Sequence, residues 1–242
     1  MSEYTDVIRC NMCLGGTKKV KSLGMSSVAG SGARGVIYPL DLIECGSCGH
    51  HQLAFPVPSE VIYKHYPFRT PEGARARLAK YAEDLRKQFS GKVLEIGCNN
   101  GLFLEELNRV GFEAYGVDPV SENGLPKWFG SKAASRIEYS FGKFNLVVAN
   151  DTFDHVDDIR NTLRGVDLLL AGDGVLVFEV PLCDSIEKAA AIACHERRNY
   201  FSPKTWPRML KKFGMEAFKT EKNDACFRMY VRRSGAEFFK VA

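Results

Sequence analysis

The stretch VLEIGCNNG, Val93 to Gly101, decides the fold. An apolar run with the character of a strand carries an acidic residue, Glu95, and ends in a glycine-bearing turn. The helical pattern LFLEELNRV, Leu102 to Val110, follows at once. A strand, a tight glycine turn and a helix N-terminus bring backbone N–H groups close to a bound ligand. Seventeen residues after Gly101, the second apolar run EAYGVD ends in Asp118. An acidic residue at the end of that strand can hold the two ribose hydroxyls of a nucleoside. These features predict a nucleoside-cofactor site at the start of a doubly wound α/β domain. A dinucleotide fold reads G-x-G-x-x-G, because a pyrophosphate needs close backbone approach. Here the turn holds only Gly97 and Gly101, and the Glu95 carboxylate disfavours a diphosphate. It favours a cationic amino-acid moiety or a hydroxyl.

The 242 residues suffice for one ordinary α/β domain and a small appendage. Hydrophobic content of 45% and charged content of 26% fit a globular chain and argue against disorder. No apolar run approaches the roughly 20 residues of a membrane span. The start, MSEYTDVIRC, lacks a signal-peptide pattern. The expectation is a cytoplasmic protein with reduced cysteines. A formal charge of +4 suits an anionic substrate without pointing to nucleic acid.

Cys10-x-x-Cys13 and Cys45-x-x-Cys48 read as a four-cysteine structural zinc site, each pair reaching the metal from a tight turn. The 31 residues between the pairs exceed the usual ribbon spacing, and Gly24 to Gly35 (GMSSVAGSGARG) reads as a flexible loop. His50 and His51 read as surface or substrate-facing residues, with ligand replacement as the alternative. Cys98, Cys183, Cys194 and Cys226 are scattered, as buried small hydrophobes are. The basic stretch Lys18-Lys19-x-Lys21 reads as a solvated face.

Strands are predicted around the second knuckle within 36–55, followed by a linker helix over 72–89. The main domain then alternates: strand 92–96, helix 101–110, strand 113–117, helix 121–130, a weak strand near 135–139, strand 144–149, helix 158–170, strand 174–180, helix 203–213, strand 215–220 and strand 226–232. Such alternation implies a mostly parallel sheet. The division reads as a zinc-binding module at 1–58, a linker helix region at 59–90 and the main domain at 91–242.

VLEIGCNNGLFLEEL resembles motif I of the class I methyltransferases, which bind S-adenosylmethionine. YPLDLIECGSCGHHQL (Tyr38 to Leu53) is similar to the zinc-module signature of the sugar C-methyltransferases, which act on nucleotide-linked keto-sugars. GVDPV (Gly116 to Val120), ANDTFDHVDD (Ala149 to Asp158), DGVLVFEVP (Asp173 to Pro181), CHERRNYFS (Cys194 to Ser202) and FRMYVRR (Phe227 to Arg233) resemble that family's later motifs in the same order. The resemblance spans about residues 8–233. It implies a Rossmann-like class I methyltransferase sheet with a small N-terminal zinc-binding module.

The resemblance implies S-adenosylmethionine held by Glu95, Gly97, Asn99, Gly101, Asp118, Pro119, Asn150 and Asp151, and zinc held by Cys10, Cys13, Cys45 and Cys48. Its ionisable candidates for removing a proton beside a ketone are His195 with Glu196, the first choice, and His155; Tyr66 is placed near methyl transfer. Arg69, Arg197 and Arg228 are the candidates for an anionic acceptor. This chain departs from the family at Asn100, where an aspartate is usual, and at Arg197, where the family's basic histidine stands. The family's further C-terminal domain has no counterpart here, so a partner chain or homo-oligomer is the expectation for completing the site. The acceptor implied is a nucleotide-linked sugar or another small anionic metabolite. The alternatives are O- or N-methylation of another acceptor, or a non-catalytic cofactor-binding module serving a partner chain.

Overall fold

The computed structural model describes residues 8–28, 37–58, 61–62, 72–118, 133–134 and 142–235. Two sheets share one core. The larger has seven strands in the order β10-β11-β8-β7-β4-β5-β6. These are β4 (Lys92–Ile96), β5 (Glu113–Val117), β6 (Ala133–Ala134), β7 (Phe144–Asn150), β8 (Leu170–Pro181), β10 (Met215–Lys222) and β11 (Cys226–Arg233). β6, β5, β4, β7 and β8 run parallel, while β11 joins antiparallel to β8 and carries β10 as a hairpin edge.

Side-chain alternation explains why the parallel strands are apolar on both faces. Leu94, Ile96, Val147, Ala149, Leu176, Phe178 and Val180 line one core. Val93, Leu146, Val148, Val175 and Val177 line the other. Helices α1 (Ala74–Arg86) and α2 (Leu102–Arg109) cover the second face through Tyr81, Leu85, Phe103, Leu104 and Leu107. Helices α3 (Ile159–Leu169) and α5 (Trp206–Lys211) cover the first through Leu163, Val166, Trp206 and Leu210. The short α4 (Ile186–Ala191) packs beside the smaller sheet. Glu95 and Glu179 share the period of the second face and place carboxylates among its apolar neighbours.

The smaller sheet is β1 (Thr17–Ser27), β2 (Ile37–Cys45), β3 (His51–Leu53) and β9 (Asn199–Tyr200), all antiparallel. Its fourth strand comes from the main domain, and Cys10, Met12 and Cys45 pack into the same core as Trp206. The proposed boundary at residue 58 therefore separates segments that share a sheet and a core. Three expectations change. The loop read from Gly24 begins as strand, since β1 runs to Ser27. The helix read over 203–213 is confined to 206–211. Helix α4 and strand β9 were not anticipated. The predicted helix 121–130 and strand 135–139 lie outside the described residues, although the short β6 pairs with β5 beside them.

Candidate active site and thiol cluster

Strand order reverses direction at β4, which lies between β5 on one side and β7 on the other, so a crevice opens at the carboxyl ends of these strands. After β4 the chain turns through Gly97 (φ +79°), Asn99 (φ +49°) and Gly101 (φ +79°) into α2. The amides of Gly97 and Cys98 donate to Val117 O at 2.8 and 3.2 Å, pinning the turn to β5. A Cβ at Gly116 would lie 2.5 Å from Leu104 Cδ1, so this glycine lets α2 approach β5 closely. The Asn99 amide donates to Asp118 Oδ2 at 3.0 Å and brings the turn to the end of β5.

Several buried polar atoms around this crevice have no hydrogen-bond partner among the described residues: Glu95 Oε2, Asn99 Oδ1, and both amide atoms of Asn150. Buried polar groups are normally satisfied, so such a group marks a place for a polar ligand. Burial, reinforced by the Asp118 carboxylate, holds the Glu95 carboxyl well above the usual carboxylate range. A bound cation or hydroxyl would relieve both effects. The amino, carboxylate, sulfonium and ribose groups of S-adenosylmethionine fit this set of atoms.

The loop after β7 forms the other wall. Asp151 is left-handed (φ +46°), and its amide donates to Glu179 O at 2.9 Å. Burial raises its carboxyl, and Asp154 and Glu179 add to the effect. Asp154 is 2% exposed. Its Oδ2 accepts from Arg197 Nε at 2.8 Å and lies 3.3 Å from His155 Nε2. Its main-chain oxygen accepts the amides of Arg198 and Asn199 at 2.7 and 3.0 Å. Asp154 thus joins the β7 loop to the 194–199 segment and gathers a histidine and a guanidinium at the sheet's carboxyl edge.

The other sequence candidates divide differently. His195 is 1% exposed. Its Nε2 lies 3.1 Å from Ser26 O, and its ring meets Tyr38 edge-on, so it packs against the β1–β2 hairpin. Glu196 is buried with Oε1 unpartnered among the described residues. Arg228 is committed to Glu179 at 2.6 Å and stacks 3.8 Å over the Tyr81 ring, so its charge is already neutralised and packed. Tyr66, Arg69 and Pro119 lie outside the described residues. Asp154, Glu179 and Arg77, which lies 3.8 Å from Glu179, escaped the sequence reading. The motif ANDTFDHVDD offers several acids, and only packing singles out Asp154.

The four N-terminal thiols converge. All four Sγ atoms lie within 4.8 Å of one another. Cys10 and Cys48 are 3.6 Å apart, and Cys13 and Cys45 3.4 Å. The two knuckles repeat one backbone pattern. Cys10 N–H donates to Gly15 O and Cys45 N–H to His50 O; Leu14 N–H donates to Cys10 O and Gly49 N–H to Cys45 O. Leu14 and Gly49 are both left-handed. The Gly15 and Ser47 amides reach Cys13 Sγ and Cys45 Sγ at 3.4 Å, as amides do in turns that orient thiolates. His50 departs from the surface expectation: it is buried, 3.2 Å from Asn199 Oδ1 and packed on Phe201. Burial pushes its imidazole down to about 3, against the opposing pull of the Asn199 bond. A separate cavity of about 390 Å³, lined partly by Arg9, Gln52, Pro56, Asp157 and Arg198, opens where the N-terminal segment meets the main domain; no cofactor-crevice residue lines it.

The sheet order, the glycine turn and the unsatisfied crevice define a class I methyltransferase domain that uses S-adenosylmethionine. The "Methyltransferase domain" family model matches residues 63–219, and the chain belongs to that family. It is 29% identical over 184 residues to C-methyltransferase NovU of Streptomyces niveus, covering 69% of this chain and 44% of that protein. It is 28% identical over 144 residues to the mitochondrial ubiquinone biosynthesis O-methyltransferase of Homo sapiens, covering 52% of this chain and 39% of that protein. The chain thus spans less than half the length of these two relatives. Among solved structures, an S-adenosylmethionine-dependent methyltransferase from Clostridium acetobutylicum shares the fold with a TM-score of 0.53 at 12% identity, covering 73% of this chain and 96% of that one. The glycopeptide N-methyltransferase MtfA, complexed with S-adenosylmethionine, does so with a TM-score of 0.51 at 13% identity, covering 65% and 87%.

Proposed function

We propose that this domain methylates carbon beside a ketone in a nucleotide-linked keto-sugar or a related small anionic metabolite. The observation that carries the reading is the Asp154–His155–Arg197 cluster at the carboxyl edge of β7. Glu95, Asn99, Asp118, Asn150 and Asp151, with the turn at Gly97 and Gly101, are assigned to the cofactor. Pro119, Tyr66 and Arg69 keep the roles implied by family resemblance. Bound S-adenosylmethionine supplies an electrophilic methyl group on a sulfonium.

The protein's own task is to remove a proton from the acceptor and hold the resulting anion in line. A general base must reach that proton and be oriented by a second group. His155 meets the second condition through Asp154, which moves the first choice of base from His195 to His155. Arg197 donates to the same carboxylate through Nε alone, and its Nη groups are assigned to the developing enolate oxygen, whereas the Nη groups of Arg228 face Glu179 and Glu221. Arg228 is assigned to holding Glu179 and Tyr81. The resemblance to NovU, itself a C-methyltransferase by name, supports this ordering. The ubiquinone O-methyltransferases support the second reading, methylation of oxygen. Product analysis after turnover with ¹³C-methyl-labelled cofactor separates the two. A labelled methyl resonance at the high-field position of a methyl on carbon supports C-methylation, and a resonance at the lower-field O-methyl or N-methyl position from every acceptor turned over overturns it.

We further assign structural zinc to Cys10, Cys13, Cys45 and Cys48. A tetrahedron with Zn–S bonds of about 2.3 Å has sulfur–sulfur edges of about 3.8 Å, and the thiol separations lie near that length. Four thiolates leave no open position, which makes the ion structural. Metal analysis of purified protein and of Cys45→Ser tests the assignment. The reducing cytoplasm is the compartment that suits eight free cysteines. Among the described residues no helix is long and apolar enough to cross a membrane.

A further inference from the structure

The thiol knuckles and the His155 loop meet at one side chain. Asn199, on β9, is 0% exposed. Its Oδ1 accepts from Asn11 Nδ2 at 3.0 Å and lies 3.2 Å from His50 Nε2. Its Nδ2 donates to Val156 O at 2.9 Å and to Phe153 O at 3.4 Å. Asn11 sits between Cys10 and Cys13, and His50 follows Cys48 by two residues. Phe153 and Val156 bracket Asp154 and His155. An amide offers an acceptor on one side and two donors on the other. Here the acceptor faces the knuckles and the donors face the loop carbonyls, which fixes the amide's orientation. A hydroxyl has a single donor and cannot reach both loop carbonyls, and an aliphatic side chain serves neither side.

We propose that Asn199 is a positioning residue that couples the acceptor loop to the metal state of the four-thiol site. This rests on the metal assignment and the His155 role above. Knuckles held by metal keep Asn11 and His50 against Asn199 Oδ1. Asn199 in turn holds the carbonyls on either side of the Asp154–His155 pair. Without metal the knuckles lose their common centre, and the loop loses the side-chain tie at Phe153 and Val156 that flanks His155, while the Arg197 and main-chain ties to Asp154 remain. The glycine turn after β4 is held instead by Val117 O, and Asn150 and Asp151 at the end of β7 are held by pairing with Glu179, so both keep their shape. Metal therefore governs the acceptor side of the crevice and spares the cofactor side.

The test records imidazole ¹⁵N signals of the histidine-labelled protein, with His155 assigned by its loss in His155→Gln. Zinc-loaded and metal-stripped samples are compared, and zinc content and S-adenosylhomocysteine affinity are measured on each. Three variants accompany them. Asn11→Ala removes one arm on the knuckle side. Asn199→Asp keeps size and acceptor but removes the donors to Phe153 and Val156. Arg208→Ala breaks a different tie to the knuckles, the 2.7 Å bond to Ser47 O, without touching the loop. Stripping, Asn11→Ala and Asn199→Asp are expected to shift the His155 signals. Cofactor-product affinity is expected to stay within about twofold, the spread between uncoupled sites. Arg208→Ala is expected to leave His155 unmoved. Should Asn199→Asp fail to fold, Asn11→Ala decides. Unchanged His155 signals on stripping a protein that binds zinc would overturn the coupling, as would equal shifts from Arg208→Ala. Loss of S-adenosylhomocysteine binding on stripping would also overturn it. Failure of the protein to bind zinc at all would instead refute the metal assignment, and the coupling with it.

Discussion

Replacing Gly97 by alanine tests the packing of the turn assigned to the cofactor. Gly97 is left-handed at φ +79°, and a Cβ there would lie 2.3 Å from Thr152 Oγ1 and 2.8 Å from Thr152 Cγ2. The left-handed backbone costs a non-glycine residue about 1–2 kcal/mol. The clash adds overpacking of about 1–3 kcal/mol, because Thr152 has somewhere to go only at the expense of its bonds. Its hydroxyl is shared between Ile96 O at 3.0 Å and Asn150 O at 2.9 Å. Gly97→Ala should therefore destabilise by about 2–5 kcal/mol, a large part of the about 5–15 kcal/mol typical of a domain. Thr152→Ala alone should cost about 1 kcal/mol for the lost bond. In the double variant the two closest atoms are gone and Thr152 Cβ at 3.1 Å remains, so most of the overpacking disappears and the backbone strain stays. Urea unfolding of the four proteins should give a favourable coupling of about 1–3 kcal/mol. Strict additivity would mean that Thr152 does not fill the space Gly97 leaves.

Glu95 has its folded-state pKa raised above the usual 4.5 by burial and by Asp118, so its stabilising contribution is full below about 4.5 and is lost as pH rises toward the folded value. Glu95→Gln should flatten the fall in stability from pH 5 to pH 8 in cofactor-free protein, and an unchanged pH slope would count against the buried-carboxyl account. Asp158 caps α3 by accepting from the Asn161 amide at 2.9 Å. Asp158→Ala should cost about 1 kcal/mol in urea unfolding, with cofactor-product affinity unaltered. Cys45→Ser should lower zinc content from about one equivalent to none and lower the melting temperature; full zinc retention would remove Cys45 from the ligand set.

Local pattern carried most of the fold into the sequence. β4, the glycine turn, α2 and β5 are legible because each is dictated by neighbours in the chain: apolar alternation, positive φ, then helical spacing. β7 and β8 are equally legible, since strands buried on both faces are continuous apolar runs. β9 was not, because Asn199 and Tyr200 form strand only by pairing with His51 and Gln52, some 150 positions earlier. The convergence of the four thiols follows from spacing alone. The wall formed by the β7 loop does not: His195 and His155 look alike in sequence, and only the buried Asp154 carboxylate on one side and the Ser26 carbonyl on the other tell them apart. Arg228 is the same lesson in reverse. A cation on a late strand reads as an anion site until Glu179 and Tyr81 are found around it.

The crevice between β4, β5 and β7 is assigned to S-adenosylmethionine, held through Glu95, the glycine turn and Asp118. Calorimetric titration of S-adenosylhomocysteine into zinc-loaded protein, with Asp118→Ala as the control, tests it most directly. Charge-assisted hydrogen bonds are worth about 1.5–3 kcal/mol, so the variant should bind at least about tenfold more weakly. Saturable binding by the wild type that Asp118→Ala weakens by this much is the predicted result. No binding by folded wild type would mean that the crevice does not hold the cofactor, and equal binding by both proteins would remove Asp118 from it.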